Sequence, residues 1–166
     1  MQIALASIFR DSSPYLPRYT FQVSSLIDVL GSLGHTFHWI MAEGDSSDDT
    51  WEQLQDLVVD DPHLSGPTPV LAQVTLFRAP HGGPRFGSID DATRWGNISF
   101  VCNQVLESVA KEDDIVIYIE SDLIWTVETL ITLIRHVIQG HDVAVPMCFH
   151  ETGFFYDTWG FRKDGV

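Results

Sequence analysis

With 166 residues, the chain is sized for one domain that buries roughly 70% of its unfolded surface, and 45% hydrophobic with 19% charged residues excludes a disordered or collagenous protein. A net charge of −14, with Lys111 and Lys163 the only lysines, argues against a surface that binds DNA or RNA by releasing counterions. No apolar stretch reaches the roughly 18 residues of a transmembrane helix. Met1 to Ile8 lacks the basic start of a signal peptide, so a cytoplasmic setting with Cys102 and Cys148 as reduced thiols is the expectation.

Residues 2–9 are apolar and predict a first strand, closed by the polar turn Phe9-Arg10-Asp11-Ser12-Ser13-Pro14. From Pro17 to about Leu33, Tyr19, Val23, Leu26, Ile27 and Leu30 recur at helical spacing, with proline in the first turn and Gly31 and Gly34 near the end. Thr36 to Ala42 reads as a second strand. The acidic loop Glu43-Gly44-Asp45-Ser46-Ser47-Asp48-Asp49-Thr50 follows it and runs into a helix capped by Asp48 or Asp49, with Trp51, Leu54, Leu57 and Val58 as its apolar stripe.

The prolines and glycine of Asp60 to Pro69 mark a connection, and Val70 to Phe77 contains a third strand. Gly82, Gly83 and Gly87 in the next loop permit close backbone approach to a ligand. A helix over about Ile89 to Ala110 is expected to bury Trp95, Ile98, Val101, Cys102, Val105 and Val109. Asp114 to Ile119 then predicts a fully buried strand, Val127 to Gln139 a fourth helix stopped by Gly140, and Asp142 to Pro146 a fifth strand. This alternation implies an α/β fold: a mostly parallel central sheet with helices on both faces. The tail from Phe149 to Val166 carries no clear element.

The fourth strand ends in Glu120-Ser121-Asp122, two carboxylates separated by one small residue at the edge where parallel sheets bind ligands. Hard cations take oxygen ligands, so the pair suits Mg²⁺ or Mn²⁺ held against nucleotide phosphates. An acidic protein with few cationic side chains needs such an ion to neutralise a diphosphate. The competing explanation is a solvated turn that caps the next helix, although Thr126 and Glu128 serve that start without it. Arg10, Arg78, Arg85 and Arg94 stand near the loops and can pair with phosphate; Arg85 and Arg94 are the favoured pair, against the ordinary role of surface arginines. Among seven histidines there is no zinc pattern, and His150 alone, beyond the fifth strand, is placed to approach a metal.

Taken in order, Ile3 to Asp11, the acidic loop Glu43 to Thr50 and the Glu120-Ser121-Asp122 triplet resemble the nucleotide-sugar glycosyltransferases of the GT-A fold, the triplet standing in place of that family's Asp-X-Asp motif. Phe155-Tyr156-Asp157-Thr158-Trp159 adds a likeness to fungal mannosyltransferases of the Anp1 and capsule-associated kinds. The resemblance covers nearly the whole chain and implies a single GT-A-like, Rossmann-like domain over 1–166 with a short or absent acceptor-side region. It assigns base or ribose contacts to Glu43 and Asp45, the metal to Asp122, and ribose or a metal-bound water to Glu120. Asp48, Asp49 and Thr50 fit a helix start better. The implied activity is metal-dependent transfer of a sugar from a nucleoside diphosphate to an acceptor hydroxyl, with Mn²⁺ or Mg²⁺ as cofactor. Asp157, among Phe155, Tyr156 and Trp159, is the candidate general base, with Glu151 the alternative; the same aromatics fit a core equally well. Two other readings are a non-catalytic nucleotide-sugar-binding module of the same fold and a sugar nucleotidyltransferase. The second wants a glycine-rich loop after the first strand, where Phe9 to Arg18 has no glycine.

Overall fold

The structure is a computed structural model that describes residues 1–60, 70–86, 91–149 and 152–153. Its elements in order are β1 (Gln2–Phe9), α1 (Leu16–Ser32), β2 (Thr36–Glu43), α2 (Thr50–Asp60), β3 (Leu71–Arg78), α3 (Ala92–Glu107), β4 (Ile115–Tyr118) and α4 (Val127–Ile138). The strands form one sheet in the order β3-β2-β1-β4, and every pairing is parallel. The chain divides into two compact units, Met1–Ile124 and Trp125–Val166, and each is described by itself.

In the first unit the side-chain period of two sorts the sheet into two faces. Register pairs Ile3 with Phe37, Leu5 with Trp39 and Ser7 with Met41, and this face receives Tyr19 of α1. The Tyr19 hydroxyl donates to Ser7 Oγ at 2.7 Å and accepts from Trp39 Nε1 at 3.1 Å, and its ring meets Phe9 edge-on with centroids 5.1 Å apart. The opposite face gathers Ala4, Ala6, Ile40 and Ala42 against Val101 and Val105 of α3. Small alanines on the strands let the helix backbone come close, and Gly44 continues this surface: a Cβ there would stand 3.3 Å from Val101 Cγ2. Helices thus cover both faces, as the alternation of elements requires.

At the amino end of the sheet, His38 is buried between Asp113 and Thr75. Its Nδ1 lies 3.2 Å from Asp113 Oδ2 and its Nε2 2.9 Å from Thr75 Oγ1. Asp113 also accepts the Gln2 side-chain amide and the Ala110 N–H, both at 2.9 Å. Both ring nitrogens of His38 and both oxygens of Asp113 thus have partners, as burial demands.

Three expectations are corrected. The fourth strand is four residues long and not fully buried: among the described strands it has a neighbour only on the β1 side, and Val116 and Tyr118 are exposed. α3 begins at Ala92, because the Asp91 carboxylate accepts the Thr93 and Arg94 N–H groups at 2.8 and 3.1 Å and so caps the helix there. Its buried residues are Val101 and Val105, while Trp95 is exposed under the Arg94 guanidinium, 4.7 Å from the ring centroid. In the second unit, Thr126 caps α4 by accepting the Thr129 N–H, as expected. Residues 142–146, however, form no strand; Val143 and Val145 are exposed, and Pro146 removes a ladder donor. No helix among the described residues is long and apolar enough to cross a membrane.

Candidate functional site

The strand order places a topological switch point between β1 and β4. From β1 the chain adds β2 and then β3 on one side, and α3 carries it back to the other side of β1. Loops diverge at such a point and leave a crevice at the carboxyl ends of the strands, which is the usual ligand position in open α/β sheets. Here the flanking segments are Arg10–Tyr15 after β1 and Ile119–Ile124 after β4.

The Glu120-Ser121-Asp122 turn is held from below by the β1 side. Ile119 extends the ladder by donating its N–H to the Ala6 carbonyl at 3.0 Å and is buried. Alternation then turns Ser121 the same way as Ile119, and its hydroxyl meets that of Ser12 at 2.9 Å, both residues buried. Arg18, in the first turns of α1, donates from Nη2 to the Asp122 carbonyl at 2.9 Å.

These bonds engage the serine and the backbone of the turn, and none of them reaches either carboxylate. Glu120 and Asp122 are exposed, and neither side chain accepts a hydrogen bond from a described residue. The Glu120 carboxyl is pushed above its ordinary value, first by the protein packed around it and then by the negative charge of Asp122, with Arg94 opposing. Two neighbouring carboxylates at a sheet edge are a fitting donor set for a hard divalent cation. Among the described residues no cluster of three or more His, Cys, Asp or Glu side chains suited to a metal occurs. A cation here would take its remaining ligands from water or a bound phosphate, as Mg²⁺ commonly does.

The other predicted residues separate by what satisfies them. Glu43 is buried at the end of β2; one oxygen accepts the Ser46 N–H at 2.6 Å and the other faces Arg78 Nε at 3.8 Å. Arg78 also lies over the Trp51 ring, 4.6 Å from its centroid. Asp45 sits at a positive φ of 58°, and its Oδ2 accepts the His81 and Gly82 N–H groups at 2.9 and 2.8 Å. Burial alone would raise the Asp45 pKa, but those two amides, His81 and Arg10 hold it below the ordinary carboxylate value. Asp45 therefore ties the glycine-rich loop to the β2 loop, while its Oδ1 accepts no hydrogen bond from a described residue. Asp48 caps the start of α2, accepting the Thr50 N–H at 3.1 Å and the Thr50 hydroxyl.

Arg85 lies in the loop after β3 and pairs with Asp11, Nε to Oδ2 at 3.1 Å. Arg94 enters the field of Glu120 from α3. Glu151, Asp157 and His150 lie outside the described residues.

Sequence reasoning did not single out Asp11, Ser12, His81 or Ser121, which the structure brings to this edge. Asp11 has a positive φ of 47° and accepts the Ser47 N–H and hydroxyl at 2.8 and 2.9 Å. Burial would raise its pKa, and the Ser47 bonds, Arg85 and Arg10 outweigh it, leaving it lowered. Arg10 reaches across to the β3 loop, with Nη1 3.3 Å from His81 Nε2 and Nη2 donating to the Gly83 carbonyl at 3.2 Å. Gly83 lets the loop backbone lie against Asn97 and His81, since a Cβ on it would stand 2.1 Å from Asn97 Nδ2 and 2.9 Å from His81 Nδ1. The one available signal was positional: these residues follow strand ends.

No family model matches the chain, and no curated protein matches it. Among solved structures, the chain is similar to a crystal structure of S. aureus TarS 1–349, at 15% identity and a TM-score of 0.48 over 91% of this chain. The chain spans 40% of that structure's length.

Proposed function

We propose that the edge between β1 and β4 is the donor site of a metal-dependent glycosyltransferase, one that binds a nucleoside-diphosphate sugar and passes the sugar to an acceptor hydroxyl. One observation carries the reading: at the switch point, Glu120 and Asp122 stand exposed, without hydrogen-bond partners among the described residues, on a turn whose Ser121 hydroxyl and Asp122 carbonyl are tied down. A turn that merely capped a helix would have its carboxylates engaged by helix N–H groups, as Asp91 and Asp48 do.

In this reading Asp122 holds Mn²⁺ or Mg²⁺, and Glu120 supports it through a bound water or the ribose. The ion would supply positive charge against the departing diphosphate. The chain's own part is binding and orientation. Asp45, with one oxygen unengaged, meets the base or ribose, and Glu43 holds the loop that carries it. Arg85 and Arg94 flank the phosphates from the β3–α3 side and offset the carboxylates' charge. Asp157, or Glu151 in its place, takes the acceptor's proton.

Calorimetric titration with UDP and with GDP, each with and without Mn²⁺, tests this. Binding is expected to require the ion and to be abolished by Asp122→Ala. Equal binding by that variant, or binding indifferent to Mn²⁺, overturns the site.

A further inference from the structure

We propose that Thr50 and Ser12 are positioning residues: with Asp48 and Ser121 they form a buried hydrogen-bonded relay that fixes the Glu120–Asp122 turn against the acidic loop after β2. This rests on the reading of that turn as the cation and nucleotide site, and it identifies what sets the spacing between its two halves.

The relay starts at Thr50, whose residue surface is 0% exposed. Its hydroxyl gives its proton to the Asp48 carboxylate and accepts the Ser12 and Ser13 N–H groups at 2.8 and 3.0 Å. A hydroxyl has one proton and two lone pairs, so Thr50 is fully used. Ser12 continues the path. Its Oγ accepts the Arg10 N–H at 3.2 Å, lies 3.2 Å from the Arg10 carbonyl and stands 2.9 Å from Ser121 Oγ. Both protons find acceptors when Ser121 donates to Ser12 and Ser12 gives its own proton to the Arg10 carbonyl.

Three segments meet in this line: Asp48 comes from the β2–α2 connection and Thr50 from the first residue of α2, Ser12 from the β1–α1 connection, and Ser121 from the segment after β4. The relay ends on the middle residue of the carboxylate turn and contributes no open polar group of its own. It therefore acts by placement. Buried polar chains of this kind admit few alternative geometries, because any shift leaves an N–H or hydroxyl without a partner.

The test reads the turn from a distance. Thr50→Val keeps the shape and removes the hydroxyl, whereas Thr50→Ser keeps it. In ligand-free protein, amide exchange is followed at Ile119 and Leu123, whose N–H groups bond to Ala6 and Glu120 carbonyls, and at Ser12 and Ser13. Thr50→Val is expected to speed exchange at all four by about tenfold, and to weaken Mn²⁺-dependent nucleotide binding by a similar factor, the scale of one buried hydrogen bond. Thr50→Ser should restore both. Faster exchange confined to Ser12 and Ser13 would reduce Thr50 to a local cap and overturn the proposal.

If Thr50→Val does not fold, Ser121→Ala is read at the Ser12 and Ser13 amides: acceleration there supports the relay, and unchanged rates overturn it. If the unaltered protein binds neither UDP nor GDP with Mn²⁺, the donor-site reading fails, and the exchange measurements still decide the relay.

Discussion

Tyr19→Phe removes one oxygen from the best-defined polar contact in the core. The ring can stay, since Phe fills the same volume against Phe9 and Trp39. What changes is that Trp39 Nε1–H loses its acceptor and Ser7 Oγ its donor, in residues that are each 1% exposed. An unsatisfied buried polar group costs about 1–3 kcal/mol. The indole N–H is left without its acceptor and the serine oxygen without its donor, so the expected loss is about 2–3 kcal/mol. With a urea dependence of about 1–3 kcal/mol per molar, the unfolding midpoint should fall by about 1 M.

The pH profile supplies an independent check on the same residue. Burial pushes the Tyr19 phenol from 10.0 up to about 12. Between those values the unfolded chain gives up the proton and the folded one keeps it, so stability is fully present below pH 10 and falls as pH rises through the interval. At about 1.4 kcal/mol per pH unit this amounts to roughly 3 kcal/mol. Tyr19→Phe should flatten that alkaline leg. A loss below about 0.5 kcal/mol, the ordinary range for a surface change, together with an unchanged alkaline leg, would refute the reasoning.

Asp113→Ala should cost about 3 kcal/mol in urea unfolding, because the Ala110 N–H, the Gln2 amide and His38 lose a shared buried acceptor; a loss under about 1 kcal/mol would contradict the buried cluster. Asp11 and Asp45 have pKa values below the ordinary 3.8, so their contribution is present above that value and is lost as pH falls through their lowered ones. Asp45→Asn should soften this acid leg in urea midpoints measured from pH 5 downward. Glu120 runs the other way: its raised pKa makes stability decline as pH rises above 4.5, and Glu120→Gln should remove that slope in chelator-containing buffer. A slope unchanged by the substitution would assign it to another group.

Local pattern carried the elements well and their partners poorly. The first strand runs over residues 2–9 as expected because Ser12, Ser13 and Pro14 break the apolar run at once. The first helix buries the predicted Tyr19, Val23, Leu26, Ile27 and Leu30 because 3.6-residue spacing puts them on one side. Residues 142–146 misled for a related reason. Alternating valines report β propensity, but a strand exists only where a neighbour accepts its hydrogen bonds. Long-range pairings were illegible in principle. Ser12 meets Ser121 across 109 positions and Arg10 meets His81 across 71, and nothing in the local composition of either member names the other. Glu43, Asp45, Glu120 and Asp122 follow or end β2 and β4 at one edge of the sheet, since parallel topology brings all carboxyl ends together, whereas His150, Glu151 and Asp157 lie outside the described residues.

An acidic chain offers many candidate carboxylates at that edge, and hydrogen-bond accounting distinguishes them better than motif order does. Asp91 and Asp48 cap helices, Glu43 and Asp11 accept loop amides, and Asp49 is held below its ordinary pKa by Ser13 and Gln53. Asp45 has one engaged oxygen and one unengaged. Glu120 and Asp122 alone among these accept no hydrogen bond from any described residue, and they sit beside one another. Folding by itself has no use for such an arrangement, since adjacent like charges at a fixed turn destabilise the ionised state. A cation reverses the sign of that interaction. In the proposed site, a bound cation would relieve that repulsion. The same reasoning explains why the relay ends on Ser121: holding two repelling carboxylates in place takes a residue between them whose own hydrogen bond points into the protein.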